Sequence, residues 1–483
     1  MIDERGTRHT LGKHLGGGGQ GDVYATKEGG VAVKLVRTEG TMDPAILRRR
    51  LERIRRLDLG DLPLARPETV LRAPHLGYTM RLLPDAVPLG ELISPSVPME
   101  SPNAWFVKTG GLRGRLRILA HLARVLHQLH SCGLAYCDLS AGNVLFSGDP
   151  LSDFSLHLID CDNLRSESSA EPGRLHTPGY AAPELLAGRS GANTLTDLHA
   201  YAVLAHECLT GLHPFVGDCV AEGEPELEER AFAGELPWIE DPQDDSNRCT
   251  RGVPRERVLS TDTRALFARA FGPGRTDPGA RPRLVEWFSV LERASDMTLH
   301  CPHPTCRATY FAAQNQPSCP WCDHALPENL TLSWLIWEPF AKPHKRFGKL
   351  LLNPEGNKPE ANSWLRLTGN VATTIETRHL SDTARSPREA YRPLVSLLLR
   401  KNTTGNLICE VTNMGDQTLR LVRRGDPSDK PPPDKIIQPR KPTPIRIDNV
   451  VSSVGKNADL SRAYLHLGPD DKLHRVIRFG AKP

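Results

Sequence analysis

The stretch that most restricts how this chain can fold runs from Tyr136 to Leu145, Tyr-Cys-Asp-Leu-Ser-Ala-Gly-Asn-Val-Leu, with Leu158-Ile159-Asp160 following after an apolar-polar hairpin pattern. It sets three oxygen-bearing side chains, Asp138, Asn143 and Asp160, on loops at strand ends. An Asn amide and Asp carboxylates are hard oxygen ligands of the kind that suit magnesium. A chain built around this stretch must bring the loops together over 20 or so residues of intervening hairpin.

Upstream, residues 11 to 36 read as three short strands. Leu11 to Leu15 leads into Gly16-Gly17-Gly18-Gly19-Gln20-Gly21-Asp22-Val23-Tyr24, and Gly29-Gly30 turns the chain back into Val31-Ala32-Val33-Lys34. A glycine-rich turn lets backbone amides approach a phosphate because no side chain intervenes; glycine clusters are also common as plain turns. Lys34 lies on a strand thirteen residues after Gly21. From Asp43 and Pro44 the pattern becomes helical, with Ile46, Leu47, Leu51, Ile54 and Leu57 at helix spacing. Glu52 is the one acidic residue between Ile46 and Leu57, among six arginines. Gly77 to Leu83 reads as a strand ending at Pro84, and Leu116, Leu119, Leu122, Leu126 and Leu129 mark the apolar stripe of a long helix that stops near Gly133. After the metal loop come Thr177-Pro178-Gly179-Tyr180-Ala181-Ala182-Pro183-Glu184, Asp197 in Thr-Asp-Leu-His-Ala-Tyr, Leu209 to Phe215, and Arg281-Pro282 before an apolar helix. Residues 220 to 256, rich in Glu, Asp, Pro and Arg, read as a surface insertion with no role beyond connection.

These motifs, in this order over residues 9 to 295, resemble the eukaryotic-like protein kinases of bacteria. The resemblance implies an α+β, bilobal protein-kinase fold, with an upper lobe over 9–83 and a lower lobe over 84–295. It implies Mg-ATP as cosubstrate and a protein hydroxyl, Ser or Thr, as acceptor. Asp138 then looks like the base, Asn143 and Asp160 the magnesium ligands, and Lys34 the holder of the nucleotide phosphates. Leu15, Gly16, Gly18, Gly21, Val23, Ala32, Met80 and Leu145 would line the nucleotide pocket, Met80 at its back. Kinases pair the strand lysine with a carboxylate from the following helix, so Glu52 resembles that partner; a surface bridge from Glu52 to Arg48 or Arg56 is the alternative. Glu184 and Arg281 look like the buried pair of the lower lobe.

The site departs from the family pattern. Tyr136-Cys137 replaces His-Arg, Ser140 stands at the place of a phosphate-binding lysine, and Asp160-Cys161-Asp162 replaces Asp-Phe-Gly. Without the arginine, the usual grip on a phosphorylated activation loop is absent, so activity is expected not to depend strictly on phosphorylation between Ser166 and Thr177. Asp162 either adds a second carboxylate near the metal or caps the next turn.

Cys301-Pro-His-Pro-Thr-Cys306 and Cys319-Pro-Trp-Cys322, twelve residues apart, give four thiolates for one tetrahedral structural zinc in a ribbon over 299–326. A redox Cys-x-x-Cys and a ligand exchange with His303 are the competing readings. Over 331–483 short alternating runs, Trp364 to Leu367, Leu394 to Leu399, Leu407 to Val411, Leu419 to Val422, Ile445 to Ile447 and Val476 to Phe479, are separated by Asn, Gly and Pro and suggest an all-β sandwich-like domain. Pro431 to Pro433 is a loop by composition.

Length and charge frame this reading. The 483 residues allow about three domains at ~150 residues each. Residues 1 to 330 hold 35 Lys and Arg against 42 Asp and Glu, whereas residues 331 to 483 hold 26 against 15, a net +11. The basic charges are dispersed among apolar residues, which favours a solvated face over a nucleic-acid surface while leaving that class open. The longest apolar run, Leu332 to Trp337, is far shorter than the ~20 residues a bilayer demands, and no apolar segment follows a basic start at the N-terminus, so no membrane association and a reducing cytoplasm are expected. The resemblance further implies a protein substrate and partner proteins of the von Willebrand and metal-dependent phosphatase types. Two rival functions share the motifs, a small-molecule phosphotransferase of the aminoglycoside-kinase kind and a pseudokinase scaffold.

Overall fold

Glycine hairpins and alternating apolar residues organise the first hundred residues of the computed structural model, which describes residues 1–18, 21–37, 44–94, 102–167, 177–311, 317–337, 359–380, 386–416, 419–423, 435–446, 463–466 and 474–479. Strands β1 (Leu11–Gly18), β2 (Gly21–Thr26), β3 (Val31–Val36), β4 (Thr69–Val70) and β5 (Gly77–Arg81) form one antiparallel sheet in the order β1-β2-β3-β5-β4. β5 stops two residues short of the expected Leu83. Helix α1 (Pro44–Arg55) packs Leu47 and Leu51 with Ala32, Val70, Tyr78 and Met80 of the sheet and buries Ile54, whereas Ile46, also at helix spacing, is 53% exposed. Asp43, read as its cap, lies outside the described residues. The N-terminal segment is clipped to the sheet edge by Asp3, which accepts from Thr69 Oγ1 at 3.1 Å and sits 3.0 Å from His9 Nε2.

The lower lobe is helical because its stripes are long. Helix α2 (Pro102–Lys108) precedes α3 (Gly111–Ser131), whose Leu116, Leu119, Leu122, Leu126 and Leu129 are fully buried. The hairpin Val144–Gly148 and Phe154–Leu158 follows, then α4 (Pro183–Leu186) and α5 (Thr194–Thr210). Fourteen of the seventeen residues of α5 are buried, so it is the hydrophobic axis of the lobe rather than an amphipathic surface helix. Its start is fixed by a capping box between Asn193 and Thr196, and its end by Gly211 at φ 73°, a conformation that glycine adopts without Cβ strain.

Residues 220 to 256 correct the reading of a bare connector. They carry the helices Pro225–Phe232 and Arg255–Val258 and bury Val220, Ala231, Trp238, Ile239, Cys249 and Val253. Buried Asn247 replaces missing secondary structure there: its amide nitrogen donates to Phe215 O at 2.9 Å and Pro237 O at 2.8 Å, and its oxygen accepts from Gly217 N at 3.0 Å. Polar composition concealed this packing because the apolar residues are spaced irregularly.

The chain separates into two compact units, residues 1–110 with 114–290, and residues 111–113 with 291–483. In the second, strands Thr298–His300 and Thr309–Phe311 pair beside the four clustered cysteines. Among the described residues two antiparallel sheets follow, one of six strands and one of four. Leu332, Leu365, Leu367, Ile477 and Phe479 from the first and Val395, Leu397, Leu399, Cys409 and Val411 from the second share one core. The alternation in Pro393–Lys401 and Leu407–Asn413 is the period-2 pattern of half-buried strands. Pro431 to Pro433 lies outside the described residues. At the end of the helix Leu284–Asp296, the Asp296 carboxylate accepts two hydrogen bonds of 2.8 Å from Arg378, and His379 Nε2 lies 3.2 Å away. Burial would raise the Asp296 pKa, but Arg378 and His379 outweigh it and hold the carboxyl well below its ordinary value.

In the first unit, the pair read from the sequence is present. Arg281 donates to both oxygens of Glu184 at 2.7 Å, to Leu195 O at 2.8 Å and to Gly274 O at 2.8 Å, and both side chains are buried. Arg281→Met, which leaves the Glu184 charge buried and alone, is expected to cost about 3–5 kcal/mol. Urea unfolding followed by fluorescence of the fully buried Trp287 measures it; a loss below about 1 kcal/mol, the range of exposed pairs, would contradict the assignment.

Candidate active site

Lys34 sits in the middle of β3, opposite Val23 on β2 and Tyr78 on β5, and only 2% of its side chain is exposed. Its Nζ lies 3.1 Å from Asp160 Oδ1 and 3.1 Å from Asp162 Oδ1, the latter carboxylate also accepting from the Tyr78 hydroxyl at 3.2 Å. Burial alone would lower the lysine pKa, but the two carboxylates outweigh it and the net shift is upward, so the ammonium is retained. Burial also pushes the Asp160 carboxyl up, with Asp162 and Asp138 adding to the rise and Lys34 opposing it.

The expected Lys34–Glu52 pair is not formed. Glu52 is half-buried on α1, and the carboxylate beside Lys34 comes instead from Asp162, which is itself buried. What α1 sends toward the loop after Asp160 is a cation, Arg50, whose Nη2 donates to Asn163 Oδ1 at 3.3 Å. Arginine crowding on α1 was visible in the sequence; that a residue two positions past Asp160 would reach the lysine was not, because both roles offered for Asp162 looked toward the metal or the turn.

The loop around Asp138 is held by Asp197 at the start of α5. Asp197 accepts from Tyr136 N at 2.7 Å and Cys137 N at 2.9 Å, and its Oδ2 lies 2.9 Å from His130 Nε2. These bonds stabilise Cys137 at φ 73°, a left-handed conformation that costs a non-glycine residue of order 1 kcal/mol or more. Tyr136 is fully buried and its hydroxyl donates to Ile159 O, while Ile159 N donates to Asn143 O at 3.0 Å. The residue before Asp160 is thereby stitched to Asn143. Asp160 itself is left-handed at φ 54°. Burial raises the thiol pKa of Cys137 and of Cys161, so both cysteines flanking the site stay protonated.

Asp138 accepts from three side chains: Asn143 Nδ2 at 3.2 Å, Asn163 Nδ2 at 3.4 Å and the Thr177 hydroxyl at 2.9 Å. Asn143 Nδ2 also donates to Asp138 O at 2.8 Å, which leaves its Oδ1 unengaged among the described residues. An open amide oxygen and an Asp160 side chain still 23% exposed are hard donors in the right chemical class for magnesium. Thr177 and Asn163 carry no sequence signal for this contact, since Thr177 lies 39 residues from Asp138. Most of the loop between Ser166 and Thr177 lies outside the described residues.

Of the residues read from the sequence as lining a nucleotide pocket, Ala32 and Met80 are buried in a cluster against which Val23 packs together with Leu83 and Ile159, while Leu145 is half-buried and Leu15 is 47% exposed. A Cβ on Gly21 would come within 2.1 Å of Leu35 O, so glycine is needed there for the sheet itself. At Gly16 and Gly18 a Cβ would meet nothing within 4 Å, so no packing requires glycine at these two, and the edge is open.

In the second unit the sulfurs of Cys301, Cys306, Cys319 and Cys322 all lie within 4.8 Å of one another, with Cys301–Cys322 at 3.5 Å and Cys306–Cys319 at 4.0 Å. Zinc–sulfur bonds of ~2.3 Å in a tetrahedron require edges of about 3.8 Å, which these distances bracket. Backbone amides of His303, Trp321 and His324 point at Cys301, Cys319 and Cys322. His303 Nδ1 lies 3.0 Å from the Thr305 hydroxyl, and the four cysteines make the cluster without it.

Residues 112–251 match the model of the protein kinase domain family. The serine/threonine-protein kinase PknE of Mycobacterium tuberculosis is 27% identical over 230 residues, covering 44% of this chain and 36% of that protein. The serine/threonine-protein kinase PknH of Mycobacterium bovis is 28% identical over 228 residues, 43% of this chain and 34% of that protein. A putative ribosomal protein S6 kinase alpha-1 of Caenorhabditis elegans is 39% identical over 105 residues, 20% of this chain and 13% of its own length. The chain thus spans about a third of the length of the two bacterial relatives.

Beneath the segment that carries Thr177, the Tyr180 hydroxyl donates to Glu207 Oε2 at 2.6 Å. Burial pushes the Glu207 carboxyl up from 4.5 to about 7, against the lowering effect of the tyrosine. Between those two values the folded chain holds a proton that the unfolded chain has lost, so stability falls as pH rises through the window and levels off above it. Glu207→Gln keeps the shape and removes the titration. Its unfolding free energy is expected to lose this slope, a difference of order 1–3 kcal/mol between the ends of the window; identical slopes in parent and variant, from urea titrations at stepped pH, would contradict it.

Proposed function

We propose that this chain, which carries a eukaryotic-like protein kinase domain, transfers the γ-phosphoryl group of Mg-ATP to a serine or threonine hydroxyl of a protein. The observation that carries the reading is the meeting of Lys34 with Asp160 at 3.1 Å, from two lobes far apart in sequence, next to a loop in which Asp138 and Asn143 are hydrogen-bonded. Asp138 is assigned as the base that orients the acceptor hydroxyl, Lys34 as the cation for the nucleotide phosphates, and Asn143 and Asp160 as the magnesium ligands. Magnesium, when bound, neutralises charge on the phosphate oxygens. Thr177 holds Asp138 in orientation through its 2.9 Å hydrogen bond, from the segment that would face a protein acceptor. The Glu184–Arg281 pair that braces the end of that segment favours a protein kinase over a small-molecule phosphotransferase, since it belongs to the lower-lobe pattern of the former. Asp138, Asn143, Asp160 and Lys34 together argue against a scaffold that merely binds nucleotide.

The four-cysteine cluster is assigned to one structural zinc, closed to substrate because no coordination position is left open. The strand-rich module beyond it, with its net +11, is assigned to partner binding, von Willebrand-type and phosphatase-type proteins being the classes the family resemblance suggests.

Two measurements test these assignments. Asp138→Asn is expected to abolish transfer from γ-labelled ATP to the chain itself and to casein while a fluorescent ATP analogue still binds; transfer to an aminoglycoside panel and not to casein, or no transfer by the parent, would sink the protein-kinase reading. Metal analysis of the purified chain is expected to give one zinc per molecule, and Cys319→Ser to lose it together with the melting transition of the second unit. Zinc retained in full by that variant would contradict the four-thiolate site.

A further inference from the structure

The pairing around Lys34 reverses the arrangement that the sequence pattern suggests, and it does so with buried groups. Lys34 has two carboxylate neighbours, and they are not equivalent. Asp160 keeps 23% of its side chain exposed, so it opens toward the cleft, whereas Asp162 keeps 7%. Asp162 meets the ammonium with both oxygens, at 3.1 and 3.4 Å, and its Oδ1 is held from behind by the Tyr78 hydroxyl at 3.2 Å. Tyr78 is the β5 residue directly opposite Lys34 in the sheet register, so lysine and phenol rise from adjacent strands onto the same carboxylate. On the helix side the charges are inverted: Arg50 of α1 contacts Asn163, the residue after Asp162, while Glu52 makes no ion pair with Lys34.

We infer that Asp162 is the positioning residue for Lys34, taking from within the metal loop the part that a carboxylate on α1 would play; this rests on the phosphoryl-transfer reading above. A lysine whose one counter-ion also has to serve a cation would lose that partner when the cation binds. Two carboxylates divide the tasks: the more exposed one is available to metal, and the buried one keeps the ammonium fixed. The lysine then follows the metal loop and the sheet, and α1 can shift without releasing it. Asp162 does not touch the nucleotide in this scheme; it acts through Lys34.

The test compares Glu52→Gln, Asp162→Asn, Asp162→Glu and Asp160→Asn in the full chain. Affinity for mant-ADP with magnesium, the KM for ATP and kcat with casein, and the magnesium concentration for half-saturation are measured for each. Glu52→Gln should stay within about twofold of the parent in every quantity, whereas Asp162→Asn should weaken mant-ADP and raise the KM for ATP by at least about tenfold, the range for truncating one partner of a buried charge pair. Asp162→Glu should recover part of the loss. The magnesium requirement should move in Asp160→Asn and not in Asp162→Asn. A tenfold loss in Glu52→Gln with Asp162→Asn near the parent would overturn the assignment, and so would a magnesium shift in Asp162→Asn matching that of Asp160→Asn, which would make Asp162 a metal ligand. If Asp162→Asn fails to fold, Glu52→Gln decides: parental nucleotide affinity upholds the proposal and a tenfold loss overturns it. Should the parent transfer no phosphate, the transfer reading fails, while the mant-ADP comparison of the same variants still judges Asp162.

Discussion

A buried ammonium between two carboxylates is the constraint around which the first unit is built. Removing Lys34 would strand the charges of both Asp160 and Asp162 in a low-dielectric setting, where an unpaired ion is far more costly than in water. The triad joins β3 of the upper lobe to the loop after the lower-lobe hairpin. Its geometry is fixed on each side by backbone: β3 by its ladder with β2 and β5, and the loop by the bond from Ile159 N to Asn143 O. The lobes are thus not simply apposed: the ammonium comes from one and both carboxylates from the other, so neither side's charge is compensated without its partner.

A second carboxylate, Asp197, provides the corresponding anchor inside the lower lobe. It sits on the most buried helix of the unit and takes two consecutive amides, from Tyr136 and Cys137, that would otherwise be unpaired in a tight loop. The left-handed backbone at Cys137 is the strain that these bonds sustain, and the next residue is Asp138. Asp160 is left-handed as well. Left-handed backbone therefore occurs at Asp160 and at the residue before Asp138, beside neighbours held by Asp197 and by the Ile159–Asn143 bond.

Much of this was legible in the sequence, and what was not has physical causes. The glycine hairpin, the Val-Ala-Val-Lys strand, the leucine stripe of α3 and the Glu184–Arg281 pair are local patterns or ordered motifs, and each sits where its pattern puts it. Spacing also brought the four cysteines together, because two short turns preset the distances between sulfurs. Three features escaped. Asp162 was missed as the partner of Lys34 because 128 residues separate them and helix α1 offered an acidic residue at a plausible distance. Residues 220 to 256 were mistaken for a connector because their core contacts come from isolated residues such as Trp238 and Asn247, which have no period. In the strand-rich module, Ala372–Glu376 and Ala463–His466 escaped as well, because each shows at most two strongly apolar residues in a row to mark it before its neighbours are known.

The cysteines show how surroundings decide the chemistry of one residue type. Cys137 and Cys161 adjoin the two aspartates of the site, a placement that elsewhere would invite a nucleophilic role. A nucleophilic thiol needs a depressed pKa, from a nearby cation or a helix N-terminus. Here burial acts in the opposite direction, reinforced at Cys137 by Asp197 and at Cys161 by Asp162 and Asp160. The same carboxylates that hold the loop and the lysine therefore keep these thiols protonated and inert. In the second unit burial raises the thiols of Cys301 and Cys319 as well, whereas at Cys322 the His324 amide and the neighbouring thiols outweigh burial; four sulfurs facing one another are the setting in which a divalent cation can displace the protons.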